Sequence, residues 1–322
     1  MRKTQDRRPA PVTTTKDVPI ERTPAPERAQ RLRDHLDDFL GRAARGELVL
    51  RFAEVPVDGV LRGDGHFHLA AELFLQVAGW TRFRFPQGEL HLNAGEALIL
   101  PPQLMHAERV GRDRPDTPFC NVVVYAEGPA LTCHLAHEVG PGRADILHLE
   151  ASSHAQSSRV HDWLGDAARL GRQASGRPDR VLMQTRALVA AAIAGVLRLL
   201  DEVDSELRPE PPLVARARAL VQNQLGDPAL SVMGLAQQAG CTADYLSRVF
   251  KQVSGEHLAA FIVRQRMERA AHLLGRSTQA GKEVAWACGF TTQSYFSRSF
   301  REHFGTTPRA WRAARVANSP EA

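Results

Sequence analysis

Leu235-Ala-Gln-Gln-Ala-Gly240, then Tyr245-Leu-Ser-Arg-Val-Phe-Lys251 and Gly255, returns about fifty residues later as Val284-Ala-Trp-Ala-Cys-Gly289, Tyr295-Phe-Ser-Arg-Ser-Phe-Arg301 and Gly305. Each copy has an Ala-x-x-x-Gly helix end, a short turn that opens on Thr, and a helix with Tyr, Ser-Arg, Phe and a base at matching positions. Gly240 and Gly289 suit the left-handed backbone at a helix end, and Thr242 and Thr291 or Thr292 suit the N-cap of the helix that follows. The pattern predicts two helix-turn-helix units, at about residues 232–253 and 281–303.

In the first copy Leu246, Val249, Phe250 and Val253 share one helix face, which leaves Ser247, Arg248 and Lys251 pointing outward. In the second, Phe296, Phe300 and Phe304 form the apolar stripe, and Gln293, Ser294, Ser297, Arg298 and Arg301 face out. These are the residue types that major-groove edges require: Arg pairs with guanine, Gln with adenine, and Ser donates or accepts. Arg248 and Arg298 are the expected principal DNA contacts, Ser247, Gln293, Ser294 and Ser297 the base-edge candidates, and Lys251 and Arg301 the phosphate clamps.

Charge agrees with a polyanionic partner. Residues 212–322 hold 14 Lys and Arg against 7 Asp and Glu, a net of +7, whereas the rest of the chain holds 27 against 29. The whole-chain balance of +5 therefore originates in the repeat region, and double-stranded DNA is the expected partner.

Between the copies His257 to Leu274 reads as one helix free of Pro and Gly, able to hold both units on one side of a duplex. At this point the chain resembles the AraC/XylS family of bacterial transcription regulators. The resemblance rests on Ser247-Arg248-x-Phe250-Lys251, Arg266-x-x-x-Ala270-x-x-Leu273-Leu274, Gly289-Phe290, Tyr295-Phe296-x-Arg298-x-Phe300 and Gly305-x-x-Pro308-x-x-x-Arg312, over roughly residues 212–315. It implies seven helices, with the second helix of each hairpin entering successive major-groove segments, and RNA polymerase as a further partner. Leu258, where many members have Pro, Gly281, where an aliphatic residue is usual, and Asp244 depart from the pattern. Gly281 is expected to loosen its helix by roughly 1 kcal/mol relative to Ala, and Asp244 to accept from cytosine or repel mismatched sites.

From Leu48 to about Leu149 the rhythm changes to short strand candidates at 48–52, 72–77, 80–85, 89–92, 97–100 and 121–125, separated by Gly, Pro and Asn. Many short strands joined by turns predict a barrel or sandwich. Within them lie His66-Phe-His68-x-x-x-Glu72, then Gly79, then Gly95-x5-Pro101-Pro-Gln-x-x-His106, which resembles the paired motifs of cupins, a usual sensor half of AraC-type regulators. His66 and His68, alternating on a strand, would share a face, and Glu72 and His106 would complete three imidazoles and a carboxylate, a set for a divalent first-row metal. Gln103 stands where the second motif usually has Gly, and Val110 where it has Asn. The competing reading keeps the same residues as barrel architecture around a metal-free pocket for a small-molecule effector. Phe67, Phe74 and Trp80 are expected to line or support it, and His134, His137, His148 and His154 to be surface or satisfied polar groups.

Residues 158–170 and 180–203 read as helices, the second with a wide apolar stripe that either covers the barrel or forms a dimer contact. The organisation expected is α+β multidomain: a basic tail at 1–27, a cupin-like barrel with flanking helices at 28–204, a Pro-rich linker at 205–212, the all-α double helix-turn-helix domain at 213–316 and a tail at 317–322. Cys120, Cys133, Cys241 and Cys288 form no CxxC pair, the apolar run 187–197 is too short to span a bilayer, and residues 1–27 lack a signal-peptide hydrophobic stretch. A cytoplasmic, non-enzymatic, homodimeric regulator without membrane attachment is the expectation. Its rivals are a metal-dependent cupin enzyme fused to a DNA-binding module, a metal sensor, and a DNA-binding protein whose barrel serves only as a scaffold.

Overall fold

The computed structural model describes residues 25–53, 65–127, 130–140, 143–151, 154–171, 178–202 and 210–317. Helix α1 (Ala25–Ala44) precedes nine strands: β1 (Val49–Phe52), β2 (Glu72–Ala78), β3 (Trp80–Phe85), β4 (Gly88–Asn93), β5 (Glu96–Leu100), β6 (Ala107–Gly111), β7 (Cys120–Glu127), β8 (Ala130–Gly140) and β9 (Arg143–Ala151). Helices α2 (Ala155–Gly171) and α3 (Pro178–Glu202) close the first half.

The strands form a six-stranded sheet in the order β1-β5-β2-β7-β8-β9 and a three-stranded sheet in the order β4-β3-β6. All ladders are antiparallel except β1 with β5. Strand alternation gives the large sheet two faces. Leu73 and Leu75 on β2, Val122 and Val124 on β7, and Cys133 and Leu135 on β8 point outward into one core with Leu32, Leu36 and Phe39 of α1, Val160 and Leu164 of α2, and Val189, Ile193 and Val196 of α3, with α2 lying directly on the sheet. Phe74, Leu98 and Leu100 face the other way and pack against Phe83, Phe85 and Leu92 of the small sheet.

The sequence reading anticipated β1 to β5, β7, α2 and α3, and missed α1, β6, β8 and β9. Leu32, Leu36, Phe39 and Ala43 carry the helical period of α1, amid Arg, Asp and Glu that mask it as a polar stretch. The expected tail at 1–27 lies outside the described residues up to residue 24, and α1 takes its last three positions. Residues 205–209 of the expected linker, with 203–204 before it, and 318–322 of the expected C-terminal tail also lie outside them. The apolar run 187–197 proves to be part of a longer helix, one long and apolar enough by length and composition to cross a membrane. Its stripe is packed against α1 and α2, within the core that covers the sheet.

Seven helices follow, as the resemblance implied: α4 (Pro212–Gln224), α5 (Val232–Ala239), α6 (Ala243–Ser254), α7 (Leu258–Arg276), α8 (Gly281–Ala287), α9 (Gln293–Phe304) and α10 (Pro308–Ala317). Gly240 ends α5 at φ 74°, and Gly289 follows α8 at the same value. A Cβ at Gly289 would stand 2.7 Å from the Leu225 carbonyl oxygen and 2.6 Å from Arg266, so that position is fixed by space as well as by dihedral. Thr242 accepts from the Tyr245 N–H and Thr292 from the Tyr295 N–H, both at 3.3 Å, so Thr292 rather than Thr291 is the second cap. Helix α7 spans both units, placing Phe261 and Ile262 in the first core and Met267, Ala270, Leu273 and Leu274 in the second.

Gln103, at the position where the resembled motif has Gly, adopts φ 62°. Its N–H is held there by the His68 carbonyl oxygen at 2.8 Å. Because a β-branched side chain tolerates this region worst, Gln103→Gly should exceed Gln103→Val in stability by about 2 kcal/mol in urea unfolding. Thr242→Ala and Thr292→Ala should each cost about 1 kcal/mol in the same assay, whereas Thr291→Ala should be nearly silent.

Candidate nucleic-acid interface and barrel cavity

On α6 the apolar face buries Leu246 and Phe250 and half-buries Val249, while Val253, expected in that face, is 42% exposed near the helix end. Arg248 and Lys251 are exposed and Ser247 is half-buried. On α9 Phe296 and Phe300 are buried, Phe304 is half-buried, Gln293, Ser294, Arg298 and Arg301 are exposed, and Ser297 is half-buried. The eight residues picked out for DNA therefore lie on the solvent side of two equivalent helices. Tyr245 and Tyr295 share that surface and were not singled out, although their repetition at matching positions was the available signal. The Arg248 guanidinium lies 5.6 Å from the Tyr245 ring centre, and Arg298 is paired with Glu302 at 2.9 Å across one turn. Asp244 lies exposed in the first turn of α6, where the helix dipole favours a carboxylate.

Much of the basic charge of this half is structural. Arg266 donates to the Leu225 and Asp227 carbonyls, Arg312 to the Leu274 carbonyl and Arg216 to the Gln238 carbonyl. Arg218 pairs with Glu210 at 2.8 Å and covers the Phe250 and Phe261 rings.

At the barrel entrance His66 and His106 form a two-residue bridge, each N–H donating to the other's carbonyl at 2.8 Å. Gly65 permits it, since a Cβ there would meet the His106 carbonyl oxygen at 2.2 Å. His66 is thus not on the continuous strand expected, and His68 lies in the irregular segment before β2, yet the rings of His66, His68 and His106 converge. One ligand nitrogen from each lies within 4.8 Å of the others. His106 Nδ1 donates to the Leu104 carbonyl at 2.9 Å, which leaves Nε2 as the lone-pair atom facing the cluster. The Nε2 atoms of His66 and His106 are buried without a hydrogen-bond partner.

Glu72 stands 3.3 Å from His68 Nε2 and 3.7 Å from His106 Nε2. Glu108 approaches His106 at 3.5 Å and His66 at 3.7 Å. The sequence reading missed Glu108, whose place two residues beyond His106 gives it the same side of the strand. Burial holds the Glu72 carboxyl up at about 8. Burial, then the neighbouring imidazoles and Arg269, push His66 and His68 well below the usual histidine range, in the neutral form that ligates metals. Burial also lowers His106, but contact with Glu108 and the charge of Glu72 outweigh it, so its net shift is upward.

His68 and Glu72 also border a cavity of about 170 Å³ walled by Phe74, Asn121, Tyr125 and His134 of the barrel and by Ala219, Gln222 and Asn223 of α4. Tyr125 Oη donates to Glu127 at 2.7 Å. His134, expected as a surface or satisfied polar group, is a cavity-wall residue whose Nδ1 lies 3.2 Å from that of His148. Phe74 lines the cavity as expected, while Phe67 points away into the second helical core and Trp80 packs against the tilted ring of His91.

A family description given as a helix-turn-helix domain matches residues 235–314. The chain is 32% identical over 96 residues to the HTH-type transcriptional regulator CdhR of Pseudomonas aeruginosa, covering 30% of this chain and 29% of that protein. It is 33% identical over 90 residues to the HTH-type transcriptional activator RhaS of Escherichia fergusonii, covering 28% and 32%. The chain thus spans about a third of the length of these curated relatives. Among solved structures, the C-terminal domain of AraT, a response regulator from Geobacillus stearothermophilus, aligns at 33% identity and a TM-score of 0.33, over 33% of this chain and 88% of that one. With the repeat, its glycine turns and its threonine caps, the family match and the two curated relatives identify residues 235–314 as a helix-turn-helix domain of the AraC type.

Proposed function

We propose that the chain is a cytoplasmic, sequence-specific transcription regulator that binds double-stranded DNA through α6 and α9 and responds to a small-molecule effector held in its barrel. The observation that carries this is the equivalence of the two exposed helices, each offering Ser-Arg and a following base at the same positions above an apolar seam. Arg248 and Arg298 read bases, Ser247, Gln293, Ser294 and Ser297 support them, and Lys251 and Arg301 hold phosphates. Homodimerisation and contact with RNA polymerase complete the reading and rest on the family resemblance.

The barrel residues fit a divalent first-row metal: three convergent imidazoles, two of them with orphaned Nε2 atoms, and the carboxylates of Glu72 and Glu108 alongside. A bound ion would supply a Lewis-acidic anchor for a donor atom of the effector at the inner end of the cavity. His68, in the cluster, and Glu72 beside it both border the cavity and would orient that donor, and Phe74, Val123 and Ile146 would exclude water around it.

Selection from a random DNA library with the full chain tests the reader. A motif covering two successive major-groove segments is expected, and Arg298→Ala should weaken binding to it by roughly 1–3 kcal/mol while relaxing preference at one base pair. Equal loss on every sequence would leave Arg298 a phosphate contact only. Elemental analysis of the reconstituted, untagged protein should find about one divalent ion per chain, lost in His66→Ala and His106→Ala. A metal-free wild type would leave an organic-effector pocket, and consumption of a bound organic ligand would move the barrel to the enzyme reading.

A further inference from the structure

The helical half does not simply hang from the barrel; it closes it. Helix α4 packs along β9 and brings Ala219, Gln222 and Asn223 to the cavity wall. The second helical core, built on Met267, Ala270, Leu273 and Val284, takes in two barrel residues, Phe67 and Met105. Both are immediate chain neighbours of the cluster: Phe67 lies between His66 and His68, and Met105 precedes His106. The side chains that ligate and those that dock the reader therefore leave the same short backbone segments in opposite directions.

Arg269 of α7 sits at this junction. It is buried, its Nη2 donates to the Phe67 carbonyl oxygen at 3.0 Å, and its guanidinium lies 4.5 Å from the Phe67 ring centre. Nη1 is buried with no hydrogen-bond partner. A carbonyl and a ring quadrupole attract the cation but do not neutralise it, so added positive charge nearby weakens its hold by direct repulsion. The carbonyl that accepts from Arg269 belongs to Phe67, the residue between two of the three histidines.

Resting on the metal reading above, we propose that Arg269 makes reader docking and divalent-metal ligation by His66, His68 and His106 mutually opposed. The docked guanidinium disfavours added positive charge at the cluster, and ligation loosens α7 and α4 from the barrel. Linkage makes the two effects equal in size, so whichever ligand or DNA geometry favours the undocked reader also favours metal.

The test uses the full chain with Co²⁺ alone as probe, its ligand-field spectrum reporting histidine ligation, together with hydrogen–deuterium exchange. Wild type should bind Co²⁺ and show faster exchange in 258–276 and 212–224 on loading. Arg269→Met, which keeps the length and apolar stem, should bind Co²⁺ about tenfold more tightly, within the usual range of coupling between sites, and show no loading-dependent change in exchange. Arg269→Lys, which retains charge, should stay near the wild-type affinity, so a poorly folded Met variant would not leave the matter open. Co²⁺ bound equally by all three proteins, with unchanged exchange in α7 and α4, would overturn the coupling and leave the metal site standing. No Co²⁺ binding by any of them would overturn the metal reading and the coupling with it.

Discussion

A single sheet has to serve two interiors at once, and the period-two alternation of its strands is what permits it. On β2, β7 and β8 every second residue is an aliphatic group or cysteine committed to the helices α1 to α3. The residues between them, Glu72, Phe74, Asn121, Val123, Tyr125, His134 and Ala136, face the cavity. A one-residue slip of any of these strands would carry its polar set into the helical core and its aliphatic set into the cavity. The helices are thus a condition for the cavity: without α1 to α3 to cover the outer face, the same strands could not present so polar an inner one.

The helical domain solves a related problem with duplication. Helices as short as α5 and α8 gain little stability alone and depend on packing. The left-handed glycines turn the chain, the threonine caps restart it, and α7 lends one end to each core. Six arginines are engaged in this work or at the barrel contact: Arg216, Arg218, Arg264, Arg266, Arg269 and Arg312. The net charge of the domain therefore overstates what is presented to a polyanion, and the exposed positions on α6 and α9 are the better measure.

The repeat was legible because it combines residues that act locally: a glycine at a positive φ, a hydroxyl at a cap and an i, i+3, i+4 stripe each leave a signature within a few positions. The convergence of His66, His68 and His106 was legible as a set, although by a different route from the one spacing suggested, since a backbone bridge enabled by Gly65 brings them together. Glu108 and the α4 wall of the cavity were hidden for different reasons. Glu108 lies on β6, an edge strand whose exposed Arg109 and Val110 give no clean alternation. The contribution of Ala219, Gln222 and Asn223 depends on how two halves meet, which no local pattern encodes. The long β8–β9 hairpin was missed because its His, Glu and Gly residues break the apolar rhythm.

The contact between the halves also bears on why an arginine should occupy position 269. An aliphatic side chain against Phe67 and Met105 would bury well and ask for nothing in return, and replacing buried ions with apolar residues often stabilises an interface. A guanidinium with one unsatisfied nitrogen, held by one carbonyl and one ring, is a weaker choice for permanent attachment. It makes the strength of the contact depend on the electrostatics of the barrel entrance rather than on shape alone. That entrance is also where the three imidazoles and two carboxyl groups converge, and Arg269, His66 and His106 are all buried, so a change of charge there acts on the guanidinium where screening by solvent is least.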